Sequence, residues 1–206
     1  MEDKFKSLYI KNSRLPKRYA EDISLIPTTQ RDLESFEYLN KVKENIVKFV
    51  KLHKNLLISS NEVGNGKTSW SVKILLYYIN EHAYKYAYDR DTPVLFINVP
   101  EFLMKKKLSI NDSTLAEEIN SIEKCIFTAN IVVFDDIATK TASDYDKELL
   151  YTYINYRTDN LLTNIYTTNI SIYNLPNELG DRLADRIIGY SKCVELNGSG
   201  MRGNTK

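Results

Sequence analysis

The chain has 206 residues, 43% of them hydrophobic and 27% charged, with a formal net charge of +1 at pH 7. That length can bury a substantial core, the composition is that of a globular protein rather than a disordered or fibrous one, and near-neutrality excludes a broadly basic nucleic-acid binder. No apolar run approaches the roughly 20 residues that span a bilayer, the N-terminus lacks a signal-like apolar stretch, and Cys125 and Cys193, 68 positions apart, have no metal-ligand spacing, so a cytoplasmic location and no membrane partner are expected.

Residues 1–20 carry six Lys or Arg against two acids, and residues 21–40 one Arg against five. With Pro16 and Pro27 breaking any long helix, residues 1–30 read as an irregular basic segment, and residues 31–206 as one folded unit. From 32 to 52 the apolar positions Leu33, Phe36, Leu39, Val42, Ile46, Val47 and Val50 recur at steps of three and four, the mark of an amphipathic helix. Short apolar runs then alternate with helical patterns. Strands are predicted at 55–59, 94–99, 131–134, 164–168 and 193–196, and helices at 67–83, 101–107, 113–125, 145–156 and 176–188. That alternation predicts an α/β fold, a parallel sheet with helices on both faces, with ligands bound at the carboxyl ends of the strands.

Between the first strand and the next helix lies Asn61-Glu62-Val63-Gly64-Asn65-Gly66-Lys67-Thr68, followed by Ser69. Apart from its first position it fits the phosphate loop G-x-x-x-x-G-K-[ST], in which backbone N–H groups cradle phosphate oxygens and the helix N-terminus faces the anion. Asn61 stands where the pattern has glycine, and asparagine is the side chain best suited to left-handed backbone there. Residues 61–69 are therefore expected to hold ATP. Lys67 would reach the β- and γ-phosphates, and Thr68 would hold Mg²⁺ through its hydroxyl.

Further on, Ile131-Val132-Val133-Phe134-Asp135-Asp136 is an apolar strand ending in two carboxylates. In a phosphate-loop fold the first acid, Asp135, orients Mg²⁺ with Thr68, and the second, Asp136, activates the attacking water. Asp136 is one methylene shorter than the glutamate common at that position, which predicts slow hydrolysis.

With these motifs in register the chain resembles AAA+ helicase loaders of the DnaC/DnaI type and their IstB-like relatives, from about Leu15 to Arg202. Leu15-Pro16-Lys17-Arg18-Tyr19 looks like the entry to that ATPase domain. Residues 94–103 look like its second strand and following helix, and residues 148–157 like the helix after the acidic strand. The resemblance implies an AAA+ P-loop NTPase with little or no separate lid domain. It implies roles for Asn169 as the sensor-1 residue near the γ-phosphate and for Arg186, in Gly180-Asp181-Arg182-Leu183-Ala184-Asp185-Arg186, as the finger that reaches a neighbouring subunit's ATP. Arg202, in Gly198-Ser199-Gly200-Met201-Arg202, becomes the sensor-2 contact to ATP in its own subunit.

In such loaders the segment between the second strand and the acidic strand faces single-stranded DNA. Here it carries Phe102 and Lys105-Lys106-Lys107, an aromatic beside a cationic cluster of the kind that stacks bases and neutralises phosphates. The function implied is an ATP-dependent, self-associating replication factor that places a replicative helicase on single-stranded DNA. A compact loader of this kind suits a phage or mobile element. A transposition helper of the IstB type, or an ATP-bound adaptor that captures a host replication protein with little hydrolysis, shares these motifs with a different client. The family's separate helicase-binding domain has no counterpart here, so the helicase is expected to meet the basic segment or another surface of the ATPase unit, or not to be engaged at all.

Overall fold

A computed structural model describes residues 2–16, 25–27, 29–82, 93–138 and 142–198. Five strands, β1 (Asn55–Ser59), β2 (Val94–Asn98), β3 (Ile131–Asp135), β4 (Thr163–Thr168) and β5 (Ser191–Glu195), form one sheet in the order β2-β3-β4-β1-β5. All pairings are parallel, with Leu56 opposite Ile165, Val133 opposite both Phe96 and Ile165, and Leu57 opposite Cys193.

Every residue of β1, β3 and β4 is buried. Helices cover both faces, so β1 and β3 carry continuous apolar centres (Leu56–Ile58 and Ile131–Phe134), whereas β4 buries polar Thr163, Asn164, Thr167 and Thr168 beside Ile165 and Tyr166. The pleat sends alternate side chains to opposite layers. Leu57, Leu95, Ile97, Val132, Phe134 and Tyr166 pack beneath α5 (Val99–Leu108), α6 (Ser113–Thr128), α7 (Asp144–Asp159), α8 (Leu175–Leu179) and α9 (Asp181–Gly189). On the other face Leu56, Ile58, Val94, Phe96, Ile131, Val133 and Ile165 pack beneath α1 (Glu2–Asn12), α2 (Gln30–Glu44), α3 (Ile46–Lys51) and α4 (Lys67–His82). In that layer the Phe36 and Trp70 rings meet edge to face, 5.3 Å between centroids.

The N-terminal segment departs from expectation. Residues 2–12 form helix α1, whose Tyr9 is buried, and the Ser13 carbonyl accepts a 2.9 Å hydrogen bond from the Phe96 N–H on edge strand β2. The segment is thus partly built into the sheet-bearing unit. Its weak apolar signal hid the helix: one buried tyrosine anchors a run dominated by Lys, Asp and Glu.

The helix expected over 32–52 is two, α2 and α3, broken at Asn45. There the side-chain amide and the backbone N–H both donate to the Lys41 carbonyl, a local alternative to helix propagation. The helix expected over 176–188 is likewise two, divided by Gly180 at φ 81°, a left-handed turn that glycine adopts without strain. Among the described residues no helix is long and apolar enough to cross a membrane.

Candidate phosphate site

The carboxyl ends of β1, β4 and β3 lie side by side, and β4 separates the strand bearing the phosphate loop from the strand bearing the acids. The Ser60 N–H donates to the Thr168 carbonyl at 3.2 Å, which extends the β1–β4 ladder one step before the chain turns. The Ser60 hydroxyl then accepts from the Glu62 N–H (3.0 Å) and from the Asn65 side-chain amide.

Gly64 and Gly66 take φ of 86° and 98°. At Gly66 a Cβ would also approach Leu25 Cδ2 to 3.2 Å, so both backbone and space favour glycine. Asn61 does not carry the left-handed conformation expected of it; the loop turns at Gly64 and Gly66 instead, and the first pattern position needs no glycine here. Asn61 and Glu62 are exposed, Val63 is 61% exposed, and Ser69 is half-buried.

Helix α4 begins at Lys67, with its N-terminus facing the loop. Lys67 is only 6% exposed. Its ammonium donates to the Glu62 carbonyl (2.8 Å) and to Asn65 Oδ1 (3.1 Å), so the cation is held inside the loop by the loop's own oxygens. The Asn65 amide also donates to the Leu196 carbonyl at 3.2 Å. One residue further, the Asn197 N–H donates to Asp32 Oδ1 at 2.7 Å. The loop is therefore fastened to the chain leaving β5 and, through it, to the first turn of α2.

The acid pair sits opposite. Thr68 Oγ1 donates to Asp135 Oδ1 at 2.9 Å, joining α4 to β3 across 67 positions of sequence. Thr167 Oγ1 donates to the same oxygen at 2.7 Å. An ionised carboxylate only accepts, so both hydroxyl protons point at Asp135 and the lone pairs of Thr68 are left for a cation. Buried carboxylate and hydroxyl oxygens suit a hard divalent ion, and the loop's N–H groups at a helix N-terminus suit phosphate; the residues present fit the expected pair. Asp136 has φ 60°, its N–H donates to Thr167 Oγ1 at 2.9 Å, and its Oδ1 accepts from the Asn169 amide. Asn169, just beyond β4, thus reaches the second acid directly.

Sequence reasoning passed over Ser60, Asn65 as a tether, and Thr167. The readable signal for Thr167 was a hydroxyl at the carboxyl end of a central strand, two positions from Asn169 and so on the same face.

Arg186 lies at 3.6 Å from Asp159 Oδ1 and 5.3 Å from the centre of the Tyr190 ring. Arg182, on the same helix, stacks on Tyr151 at 4.3 Å and has a 69% exposed side chain. The neighbouring Arg182 and Arg186 guanidiniums hold the Tyr151 hydroxyl below the ordinary tyrosine pKa. Arg202 lies outside the described residues.

The DNA-facing cluster is placed differently from the sequence reading. Phe102 is 4% exposed and packs edge-on against Tyr153, because α5 turns it inward with Val99 and Leu103; its ring has no open face for a base. The three lysines are each paired: Lys105 with Glu101 (2.9 Å) and Glu118 (3.5 Å), Lys106 with Glu123 (2.8 Å), and Lys107 with Asp146 (2.6 Å).

Asp146 also closes a capping box with Ser143 at the start of α7. Burial, which by itself raises its pKa, is outweighed by hydrogen bonds from Lys107 and from the Ser143 hydroxyl and N–H, so the carboxyl is held below its usual value. The stability it confers is therefore fully present above about pH 4 and lost as pH falls through the lowered value. Lys107 is half-exposed and contributes little. Capping sets the scale: Asp146→Ala should lower the unfolding free energy by about 1–2 kcal/mol at pH 7, and the gap between urea midpoints of the two proteins should narrow below about pH 4.

A parallel sheet in this order, with a phosphate loop after β1, an acid pair after β3 and an amide after the strand between them, is the AAA+ P-loop NTPase fold. No protein-family profile matches the chain. It is 24% identical over 173 residues to the replicative helicase loader DnaI of Bacillus subtilis (strain 168), an alignment covering 72% of this chain and 51% of that protein. The chain thus spans about half the length of this curated relative. The crystal structure of the DnaC helicase loader superposes with a TM-score of 0.66 at 20% identity, over 88% of this chain and 99% of that one. The replication initiator DnaA bound to AMPPCP and single-stranded DNA gives 0.62 at 17% identity, over 89% and 51%. The resemblance to DnaC/DnaI-type AAA+ loaders holds.

Proposed function

We propose that this chain is an ATP-dependent replication factor that helps place a replicative hexameric helicase on single-stranded DNA. The observation that carries the reading is the Thr68–Asp135 hydrogen bond, which brings the hydroxyl after the phosphate-loop lysine and the first strand-end acid to one point on a loader-like sheet. ATP would lie on the N–H groups of residues 61–69, with Lys67 on its β- and γ-phosphates and Mg²⁺ held by Thr68 and Asp135. The ion supplies charge neutralisation between the phosphates. Asp136, aimed by Asn169, receives the proton of the attacking water.

Self-association through the ATP sites would bring Arg186 to a neighbour's nucleotide. Its ties to Asp159 and Tyr190 are surface contacts of the kind that exchange readily. Arg202 would contact ATP in its own subunit. Single-stranded DNA is drawn into the reading by the loader relatives and by the DNA-bound initiator of similar fold. Phe102 takes no part in it, and Lys105, Lys106 and Lys107 would contact phosphates by exchanging carboxylate partners. The whole is consistent with a cytoplasmic factor of a phage or mobile element.

The test is capture of the replicative helicase from source-cell lysate on tagged protein, with ATP and without, identified by mass spectrometry. ATP-dependent recovery of the hexameric helicase is expected. Recovery of a transposase, or of a host loader in place of the helicase, would overturn the client assignment while leaving the nucleotide site standing.

A further inference from the structure

Asp135 and Asp136 are adjacent in sequence but do different work, and one side chain touches both. The Thr167 hydroxyl donates to Asp135 Oδ1 at 2.7 Å and accepts from the Asp136 N–H at 2.9 Å. The Ile137 N–H donates to the Thr167 carbonyl at 3.0 Å, so the turn that follows β3 is pinned to this one residue by side chain and main chain alike. Thr167 is 2% exposed, next to fully buried Thr168.

The direction of these bonds is fixed. The carboxylate can only accept and the amide can only donate, so the single hydroxyl proton points to Asp135 and a lone pair to Asp136. Asp136 is held at φ 60°, a conformation uncommon for a residue with a side chain. Such geometry persists where its surroundings over-determine it, and it tends to occur where function requires it. Releasing the N–H would let the turn relax, carrying the Asp136 carboxylate away from Asn169.

We propose that Thr167 is the positioning residue of the acid pair: its hydroxyl sets the orientation of the metal-holding carboxylate of Asp135 and, through the same oxygen, the backbone turn that aims Asp136. This rests on the nucleotide reading given above. The role is distinct from the phosphate contacts, since Thr167 bonds the acids and their turn while the Lys67 ammonium bonds Glu62 and Asn65 within the loop. The consequence is a split phenotype. Phosphate binding should survive loss of the hydroxyl, while use of the metal and turnover should not.

The experiment compares wild-type, Thr167→Val and Thr167→Ser chains by fluorescent ATP-analogue binding with and without Mg²⁺, by ATP turnover across a Mg²⁺ titration, and by thermal melting. Thr167→Val should bind the analogue without Mg²⁺ within about threefold of wild type. It should need about tenfold more Mg²⁺ for half-maximal turnover and lose about 10²-fold in kcat, the scale for misplacing a polar group that acts in the transition state. Thr167→Ser, which keeps donor and acceptor, should restore most of both. Should Thr167→Val fail to fold, Thr167→Cys, a weaker donor and acceptor of similar size, should fold and show an intermediate Mg²⁺ requirement.

A folded Thr167→Val or Thr167→Cys with wild-type Mg²⁺ dependence and turnover would overturn the role alone. A wild-type chain that shows no Mg²⁺-dependent nucleotide binding would overturn the nucleotide reading, and the role with it.

Discussion

Replacing Arg157 by methionine should lower the free energy of unfolding by about 3–5 kcal/mol, measured by urea denaturation at pH 7. Arg157 is fully buried near the end of α7, at the amino-terminal ends of the central strands β3 and β4, away from the phosphate site at their carboxyl ends. Its guanidinium donates to Asn164 Oδ1 (2.5 Å), to the Ile126 and Ala129 carbonyls (2.6 and 2.9 Å) and to the Thr163 carbonyl (2.7 Å). It thereby fastens the end of α6 and the turn before β3 to the start of β4. Burial pushes its pKa down to about 9, which still leaves it charged at neutral pH.

Methionine matches the volume but supplies no donor, so four acceptors lose their partner in a place water does not readily reach. The cost per orphaned group is about 1–3 kcal/mol, against a total stability of about 5–15 kcal/mol for a domain. Lysine at this position keeps the charge, but its point-like ammonium cannot span the fork, and Arg157→Lys should be nearly as damaging. Because the group is buried, the loss should be the same in low and high salt, unlike that of a surface ion pair. A variant that melts within a degree or two of wild type would show that the guanidinium is replaceable.

The second large effect is functional. Lys67→Ala should leave the melting temperature close to that of wild type, because the hydrogen bonds from its ammonium to the Glu62 carbonyl and the Asn65 side chain stay within the loop that follows β1. On the nucleotide reading it should weaken ATP binding by about 10- to 100-fold, the worth of a charge-assisted hydrogen bond to phosphate. Turnover should fall by about 10³-fold or more, since charge on the phosphoryl group grows toward the transition state. Isothermal titration and a phosphate-release assay separate the two. Unchanged affinity with unchanged turnover would remove Lys67 from the site.

These residues differ in how far the sequence exposes them. Gly66-Lys67-Thr68 and Asp135-Asp136 are readable because their chemistry is local: a turn, a helix start and a strand end each leave a short signature. The burial of β1 and β3 is readable for the same reason, as short apolar runs at Leu56–Ile58 and Ile131–Phe134, whereas the buried polar residues of β4 carry no such mark. Sheet order is not, because β1 pairs with β4 and β5, which lie more than a hundred residues away. Thr167 is hidden at a shorter range: nothing near it shows that a residue 32 positions back, on the adjoining strand, will be an acid. Arg157 reads as an ordinary solvated position on an amphipathic helix, and only tertiary packing reveals the four oxygens around it. Phe102 errs the other way. An aromatic beside three lysines resembles a nucleic-acid surface, yet the direction in which α5 presents it is set by Asn98, which caps the helix. The breaks at Asn45 and Gly180 show the limit of periodicity, since an apolar stripe can continue across a turn that the backbone does not.

The pairing of β1 also bears on how the protein is made. This strand delivers the phosphate loop, yet both of its hydrogen-bonded neighbours come from residues 163–195, and the tether from Asn65 closes only at Leu196. During synthesis the loop emerges well before residues 163–196, the strands and the tether that it joins. Such long-range closure is slow relative to local helix formation. A nascent chain would therefore lack a finished nucleotide site, and ATP could not steady its early folding intermediates. Competence for nucleotide would arrive late and together with completion of the fold, so that a truncated translation product could not compete with the finished protein for ATP.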